Sequence, residues 1–219
     1  MTSLNPPETR MSEPGKFWDK IAERYAKKPV TDEAAYQKKL KITRDYFQPH
    51  MEVLEFGCGT GSTAIAQAPF VKHILATDIS AKMLEIAADK ANTAKVKNVT
   101  FRQTAVEDLK VDADTFDAVM AHSILHLVED TDAVIAKVHE LLKPGGIFIS
   151  STVCLGNGLK WQWLKLVAPL GKLLGLMPMV RFLSTRQLVD SLTGAGFEID
   201  HQWTPDKGLS VFIVAKKAG

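Results

Sequence analysis

Residues 53–61 read V-L-E-F-G-C-G-T-G, an apolar run that leads into three alternating glycines. The apolar part is typical of a buried strand, and Ser62–Ala68 beyond it has the composition of a helix. Glycine at Gly57, Gly59 and Gly61 permits a turn in which the backbone, rather than a side chain, approaches a ligand. The stretch therefore predicts a strand, a ligand-binding turn and a helix in succession.

The chemistry of this turn favours a cationic ligand over a pyrophosphate. A dinucleotide fingerprint counted from Gly57 would need glycine at position 62, which is Ser62, and the Gly-Lys-Ser/Thr of a phosphate-binding loop is also absent. Glu55 lies two residues before the first glycine, where a carboxylate would repel phosphate but could hold a positive charge. We therefore expect a positively charged cofactor.

Outward from this turn the chain alternates strand-like and helix-like segments, which is typical of an α/β fold with a mostly parallel sheet. The predicted strands are Glu52–Phe56, His73–Asp78, Val99–Gln103, Phe116–His122, Ile147–Thr152, Phe197–Trp203 and Leu209–Lys216. The predicted helices within this region are Ser62–Ala68, Ala81–Ala94 and Asp132–Leu142. Before the sheet, helical spacing of apolar residues predicts one helix from Phe17 to near Pro29 and a second from Tyr36 to Phe47. The turn-rich connector 204–208 suits an antiparallel pairing of the last two strands.

Length and composition indicate one globular domain. The 219 residues are 46% hydrophobic and 24% charged, and the formal charge of +2 is too even to indicate a nucleic-acid partner. We expect a flexible tail over residues 1–16 and a single domain over 17–219. Two distant cysteines, Cys58 and Cys154, do not make a disulfide framework, and no secretion signal or membrane span is evident, so we expect a cytoplasmic protein.

Three further residues near the turn have more than one interpretation. Asp78 ends the second strand, where an acid can accept both hydroxyls of a ribose, or it could cap the next helix, although Ser80 is better placed for that. Met83 one turn later is equally consistent with core packing. Cys58 adjoins a helix N-terminus that would lower a thiol pKa, so a nucleophile is conceivable, but a small residue for steric reasons is the simpler interpretation.

Four stretches of this sequence together resemble those of a known family. They are the glycine turn, D-I-S at residues 78–80 with Met83, F-D-A-V-M-A-H-S-I-L-H-L at 116–127 and L-K-P-G-G at 142–146. In that order they are similar to class I S-adenosylmethionine-dependent methyltransferases, over roughly residues 17–216, and most of all to the small-molecule subset that includes quinone-ring methyltransferases. The resemblance implies a Rossmann-like, seven-stranded, mostly parallel sheet with an antiparallel last strand and helices on both faces. It also implies an N-terminal helical lid, an apolar helical insert before the last helix, and S-adenosylmethionine as cofactor.

The resemblance further assigns roles to single positions. It places Gly57, Gly59 and Gly61, with Cys58 among them, around the methionine part of the cofactor, and Glu55 at its amino end. The other implied cofactor contacts are Asp78 to the ribose, Ile79 and Met83 to one face of the adenine, and Ala105, Val106 and Glu107 to the adenine edge. Ala105 stands where the family commonly has an acid, so that contact would come from Glu107, Asp108, water or backbone. Tyr25 in the lid would lie nearest the methionine carboxylate, with plain packing as the alternative for Tyr25 and Trp18.

Methyl transfer from a sulfonium is an in-line displacement in which alignment and desolvation do most of the work. A base is needed only for a protonated acceptor, and residues after the fourth strand are where it would lie. His126 is our candidate proton acceptor, and His122 is a packing or cofactor-contact residue. The two could share a helical face, but H-x-x-x-H lacks the glutamate of a zinc motif and a third ligand, so we predict no metal site.

The segment Leu155–Leu183 is basic and amphipathic, with four basic residues, no acid and many large apolar side chains. Three interpretations stay open: a lid that packs on the core, a cover for an apolar acceptor, and an interfacial element that contacts anionic lipid. We expect a small-molecule acceptor and no nucleic acid, because residues 121–124 read A-H-S-I instead of an Asn/Asp-Pro-Pro-Tyr/Phe motif. The oligomeric state is left open.

Two other functions compete with small-molecule methyl transfer. The alanine at position 105 is compatible with a protein that binds S-adenosylmethionine without turnover, and the basic segment is compatible with a lipid methyltransferase at a membrane surface. A nicotinamide oxidoreductase is disfavoured by Ser62 and by the lack of a Tyr-Lys or His-Asp arrangement.

Overall fold

The computed structural model describes residues 13–157, 180–206 and 209–219. Within them seven strands form one sheet in the order β3-β2-β1-β4-β5-β7-β6. The strands are β1 (Glu52–Phe56), β2 (His73–Asp78), β3 (Val99–Gln103), β4 (Phe116–His122), β5 (Leu142–Val153), β6 (Phe197–Trp203) and β7 (Ser210–Lys217). Strands β1 to β5 pair in parallel, and β7 is antiparallel to both of its neighbours.

Six α-helices accompany the sheet in the described part of the chain. They are α1 (Glu13–Ala26), α2 (Glu33–Tyr46), α3 (Ser62–Gln67), α4 (Ala81–Thr93), α5 (Thr131–Leu141) and α6 (Thr185–Gly194). Each of α1 and α2 precedes the sheet, and α3, α4 and α5 follow β1, β2 and β4 as crossovers. Because β1 to β5 run parallel to one another, their carboxyl ends meet at one edge of the sheet.

Both faces of the sheet are buried. Alternate strand residues such as Leu54, Val119 and Phe148 pack with α5 and α6 on one face. Val53, Met120 and Ile149 point to the other face, where Ala64 of α3 and the residue after α2, Phe47, cover them. Burial of apolar side chains on each face stabilises the fold by roughly 25 cal/mol for each Å² removed from water. Helices on both faces are therefore confirmed.

The predicted fold is confirmed with small shifts of its boundaries. Strands β1, β2, β3, β4 and β6 have the predicted ends, whereas β5 starts at Leu142 instead of Ile147. The reason is that Leu142 still pairs with Phe116 on β4, beyond a register shift that sequence pattern does not show. The first helix begins at Glu13 rather than Phe17. Of the predicted insert, Leu155–Asn157 forms a 3-10 turn, and residues 158–179 lie outside the described part of the chain.

No helix within the described ranges is both long enough and apolar enough to span a lipid bilayer.

Candidate functional site

The glycine turn follows β1 directly, at the carboxyl edge of the sheet. Gly57, Gly59 and Gly61 all have positive φ, at 63°, 53° and 72°. A side-chain carbon added to Gly57 would lie 2.6 Å from Cγ1 of Ile124, and one added to Gly61 would lie 2.8 Å from Cβ of Ala87. At Gly59 the nearest atom would be Cε1 of Tyr25 at 3.9 Å. The outer two glycines therefore serve packing, whereas Gly59 has room for a side-chain carbon between its backbone and the Tyr25 ring.

Asp78 at the end of β2 holds this turn in place. Its Oδ2 accepts a hydrogen bond from the Gly59 amide at 2.8 Å, and its Oδ1 accepts one from the Ser80 amide at 2.9 Å. The cap of α4 is Ser80, whose hydroxyl accepts from the Met83 amide at 3.1 Å. Burial raises the pKa of Asp78, while the backbone donors partly offset that rise. Asp78 thus lies beside the turn, and Ser80, not Asp78, caps α4.

Asp19 supports the start of α4 beside the site, and no sequence motif predicts this role. Its Oδ1 accepts from the Ser80 hydroxyl at 2.6 Å and from the Lys82 amide at 3.0 Å. This second acceptor at the N-terminus of α4 fixes α1 against α4. A lone aspartate in an amphipathic helix gives no local signal for a partner some sixty residues away, so sequence pattern could not find it.

Tyr25 lies over the turn from the last part of α1. It is 47% exposed, and its ring meets Trp18 edge to face with centroids 6.2 Å apart. Partial burial and the negative charge of Asp78 raise the pKa of Tyr25, so its phenol stays neutral. The structure thus brings Tyr25, Gly59 and Asp78 together.

Glu55 is the buried acid of the site. It is 2% exposed, and its Oε2 has no hydrogen-bond partner among the described residues. Burial raises the pKa of Glu55 to about 8, the Ala64 amide partly offsets this rise, and Asp78 adds to it. The sequence predicts a charged carboxylate at Glu55, whereas a carboxyl in this environment keeps its proton at neutral pH unless a cation compensates it.

This buried carboxyl predicts a pH dependence of stability. Between pH 4.5 and about 8 the unfolded chain ionises Glu55 while the folded chain keeps it protonated. The free energy of unfolding should therefore fall by up to about 1.4 kcal/mol for each pH unit in this window. Relative to Glu55→Gln, the wild type should lose about 2 kcal/mol between roughly pH 5.5 and roughly pH 7.5 in urea unfolding.

The control for this prediction is Glu85→Gln, which removes an exposed carboxyl from α4, where Glu85 pairs with Lys82. Its unfolding profile should run parallel to that of the wild type. Parallel profiles for wild type and Glu55→Gln would contradict the assignment of a protonated Glu55.

The residues assigned to adenine are only partly accessible. Ile79 is partly exposed, and its carbonyl accepts from the Gln103 side chain at 3.1 Å. Met83 is 2% exposed and Val106 is 3% exposed, so each offers little surface to a ligand. Ala105 is half-buried and Glu107 exposed, on a segment that the Thr104 amide ties to the Asp78 carbonyl at 3.1 Å.

The expectation of a lowered thiol pKa at Cys58 is wrong. Burial raises the pKa of Cys58 well above its usual value, and Glu55 and Asp78 add to the rise. Nearby carboxyls and desolvation outweigh the helix N-terminus that follows the turn. Cys58 is therefore a protonated small residue whose amide donates to the Thr77 carbonyl at 3.0 Å.

His122 and His126 do not share a helical face, because a turn, not a helix, joins them after β4. The His122 ring stacks on Phe212 with centroids 6.4 Å apart. Burial lowers the pKa of both histidines to about 4, and Lys39 contributes at His122. His122 Nε2 and His126 Nδ1 are buried without a partner among the described residues. Both rings are neutral at physiological pH, and His126 would be a weak proton acceptor.

The described residues contain no group of three or more His, Cys, Asp or Glu side chains that could hold a metal ion.

Comparison with known proteins agrees with this geometry. Residues 47–175 match the family model described as a methyltransferase domain. The chain is similar to an uncharacterised methyltransferase, YcgJ, of Bacillus subtilis, at 33% identity over 97 residues that are 44% of this chain and 38% of the relative. It is also similar to a demethylmenaquinone methyltransferase of Symbiobacterium thermophilum, at 28% identity over 65% of this chain and 60% of the relative. This chain spans about half the length of the curated relatives it matches.

Among solved structures, the [4+2]-cyclase SpnF superposes with a TM-score of 0.75 at 18% identity, over 93% of this chain and 94% of that one. At this identity the likeness shows the fold alone. A fold shared with an enzyme described as a cyclase means that the reaction has to be argued from the site.

Proposed function

This chain belongs to the methyltransferase domain family, and from that premise we propose that it transfers a methyl group from S-adenosylmethionine to a small, moderately apolar molecule by in-line displacement. The observation that carries the proposal is the room between the Gly59 backbone and the Tyr25 ring, beside Asp78. A ligand that occupied this space would meet backbone on one side and an aromatic ring on the other.

The residues present fit the cofactor. The unpartnered Oε2 of buried Glu55 suits a cationic group, since a buried polar atom is costly until it is paired. Asp78 keeps acceptor capacity for two ribose hydroxyls beyond its two backbone contacts. Ile79 would contact the adenine, and backbone at Ala105 would replace the missing acid.

S-adenosylmethionine supplies a methyl group on a sulfonium that already carries its leaving group. The chain's own contribution is alignment and exclusion of water. Gly59 and Asp78 would hold the donor, and Tyr25 would cover it and keep water away. The edge beyond β4, with His122 and Ile124, is where an acceptor would lie, because ligands of parallel sheets bind outside the strand carboxyl ends.

Two observations support a small acceptor over a nucleic acid. The net charge of the chain is only +2, which provides little electrostatic attraction for a nucleic acid. The relative from Symbiobacterium thermophilum is described as acting on demethylmenaquinone, a small molecule.

A calorimetric titration tests the proposal directly. S-adenosylmethionine and S-adenosylhomocysteine should both bind the purified chain, whereas NAD should not. Conversion of bound S-adenosylmethionine to S-adenosylhomocysteine should then appear when small acceptors are added. Binding of NAD alone, or of none of the three, would overturn the proposal.

Cofactor binding without transfer is a second candidate, because Ala105 removes a side-chain contact to adenine that the family commonly has. Tight binding of both sulfur compounds with no S-adenosylhomocysteine formed from any acceptor would favour this candidate.

A further inference from the structure

Lys39 on α2 reaches the carboxyl edge of the sheet beside the proposed site. Its Nζ donates to the Ser151 hydroxyl on β5 at 2.7 Å, and the Ser210 hydroxyl on β7 lies 3.4 Å away. Ser151 is directly opposite His122 in the pairing of β4 with β5. Lys39, Ser151, Ser210 and His122 therefore form one polar cluster, which we call the lysine cluster.

The lysine cluster has a positive charge without a matching negative one. Lys39 is half-buried, and no carboxylate of the described residues lies within 4.0 Å of its Nζ. Burial lowers the pKa of Lys39, and Asp32 opposes this only weakly through space. The Lys39 ammonium is partly desolvated and has only neutral partners, so pairing with an anion would stabilise it.

The cluster adjoins the glycine turn. Tyr36, one helical turn before Lys39, has its hydroxyl 3.4 Å from the Thr63 hydroxyl, and burial, with Glu55 nearby, raises the pKa of Tyr36. On the other side, Ile124 lies two residues after His122 and is the side chain nearest to Gly57. Residues at i and i+3 face the same way on a helix. One face of α2 thus runs from the cofactor turn to the lysine cluster.

We propose that the lysine cluster is the acceptor subsite and that it binds an acidic hydroxyl, that of a phenol or an enol, as its oxyanion. This inference rests on the proposed function and names the class of its acceptor. Lys39 supplies the charge, and the Ser151 and Ser210 hydroxyls supply further donors.

An ionised acceptor also explains how transfer proceeds beside two weakly basic histidines. The acceptor oxygen uses a lone pair to form the C–O bond to the methyl carbon, while the electron pair of the C–S bond stays on sulfur. The negative charge of the oxygen and the positive charge of the sulfonium both disappear, and no proton is transferred in this step. His126 and His122, whose pKa values lie at about 4, are then not required as bases.

The probe for this inference is 4-nitrophenol, whose phenolate absorbs visible light. The protein is saturated with S-adenosylhomocysteine and titrated into 4-nitrophenol slightly below the pKa of the free phenol. The wild type should raise the phenolate absorbance, and Lys39→Met should lose that increase and bind about tenfold more weakly. Lys39→Arg should keep most of it. The neutral ether 4-nitroanisole should bind wild type and Lys39→Met alike.

Lys41→Met is the matched control, since it removes the same charge from an exposed position on the same helix, and it should behave as wild type. Each variant is first checked for unchanged S-adenosylhomocysteine affinity, with Lys39→Gln as a second substitution if Lys39→Met does not fold. No phenolate increase in the wild type, or an equal increase in Lys39→Met, would overturn the inference alone. Loss of S-adenosylhomocysteine binding by the wild type would instead overturn the proposed function.

Discussion

Gly59→Val is expected to abolish S-adenosylmethionine binding while the chain stays folded. The new side chain would enter the space between the turn and the Tyr25 ring, where its first carbon meets only Cε1 of Tyr25 at 3.9 Å. The folded state therefore accepts it, but it would fill the space that we propose for the cofactor. A valine at φ 53° costs roughly 1–2 kcal/mol of stability, well within the stability of an ordinary domain. Calorimetric titration with S-adenosylmethionine and circular dichroism measure the two effects.

Gly145→Val is the matched control for the backbone strain. Gly145 has φ 73° and no atom within 4 Å of an added side-chain carbon, and it lies near the start of β5. This variant should lose similar stability and keep full cofactor affinity. Gly61→Val should instead damage the fold, because its side chain would press on Cβ of Ala87 at 2.8 Å and on the Phe101 ring. If Gly59→Val folds and still binds S-adenosylmethionine normally, the space between Gly59 and Tyr25 is not where the cofactor binds.

Sequence pattern predicts what is local in this molecule. The strands that carry the site have period and length signals of their own, and the glycines at 57, 59 and 61 can be assigned to a turn because only glycine adopts positive φ at little cost. Ser80 directly precedes α4, so its role as the cap could be anticipated, whereas the bond from the Gly59 amide to Asp78 spans 19 positions and could not.

What sequence pattern misses depends on contacts between distant segments. Lys39 meets Ser151 across 112 positions, and Asp19 meets Ser80 across 61. The same holds for charge: Glu55 and Cys58 are protonated because the assembled sheet removes water from them, and no local pattern gives that degree of burial. The ionisation of a site therefore follows from its tertiary environment, whereas its backbone shape can be predicted from a few glycines.

Asp78→Ala is expected to weaken S-adenosylmethionine binding by about 1.5–3 kcal/mol, or roughly 10- to 150-fold. The substitution removes the acceptor that we propose for the ribose hydroxyls, and it also leaves the Gly59 amide without the partner that holds it at 2.8 Å. Both losses would act on the same ligand, because the Gly59 amide belongs to the backbone at which we propose the cofactor binds. Isothermal titration at a fixed pH gives the affinity, and urea unfolding gives the accompanying change in stability.

Asp117→Ala separates the loss of a ligand contact from the loss of a structural one. Asp117 on β4 likewise accepts from a backbone amide, that of Glu52, at 2.8 Å, and it pairs with Lys143 at 2.7 Å. It lies near the amino end of its strand, opposite to the glycine turn, so its removal should lower stability and leave cofactor affinity unchanged. Equal losses of affinity in the two variants would mean that Asp78 acts only through the fold. A loss confined to Asp78→Ala would mean that this carboxylate contacts the cofactor itself or holds the turn that does.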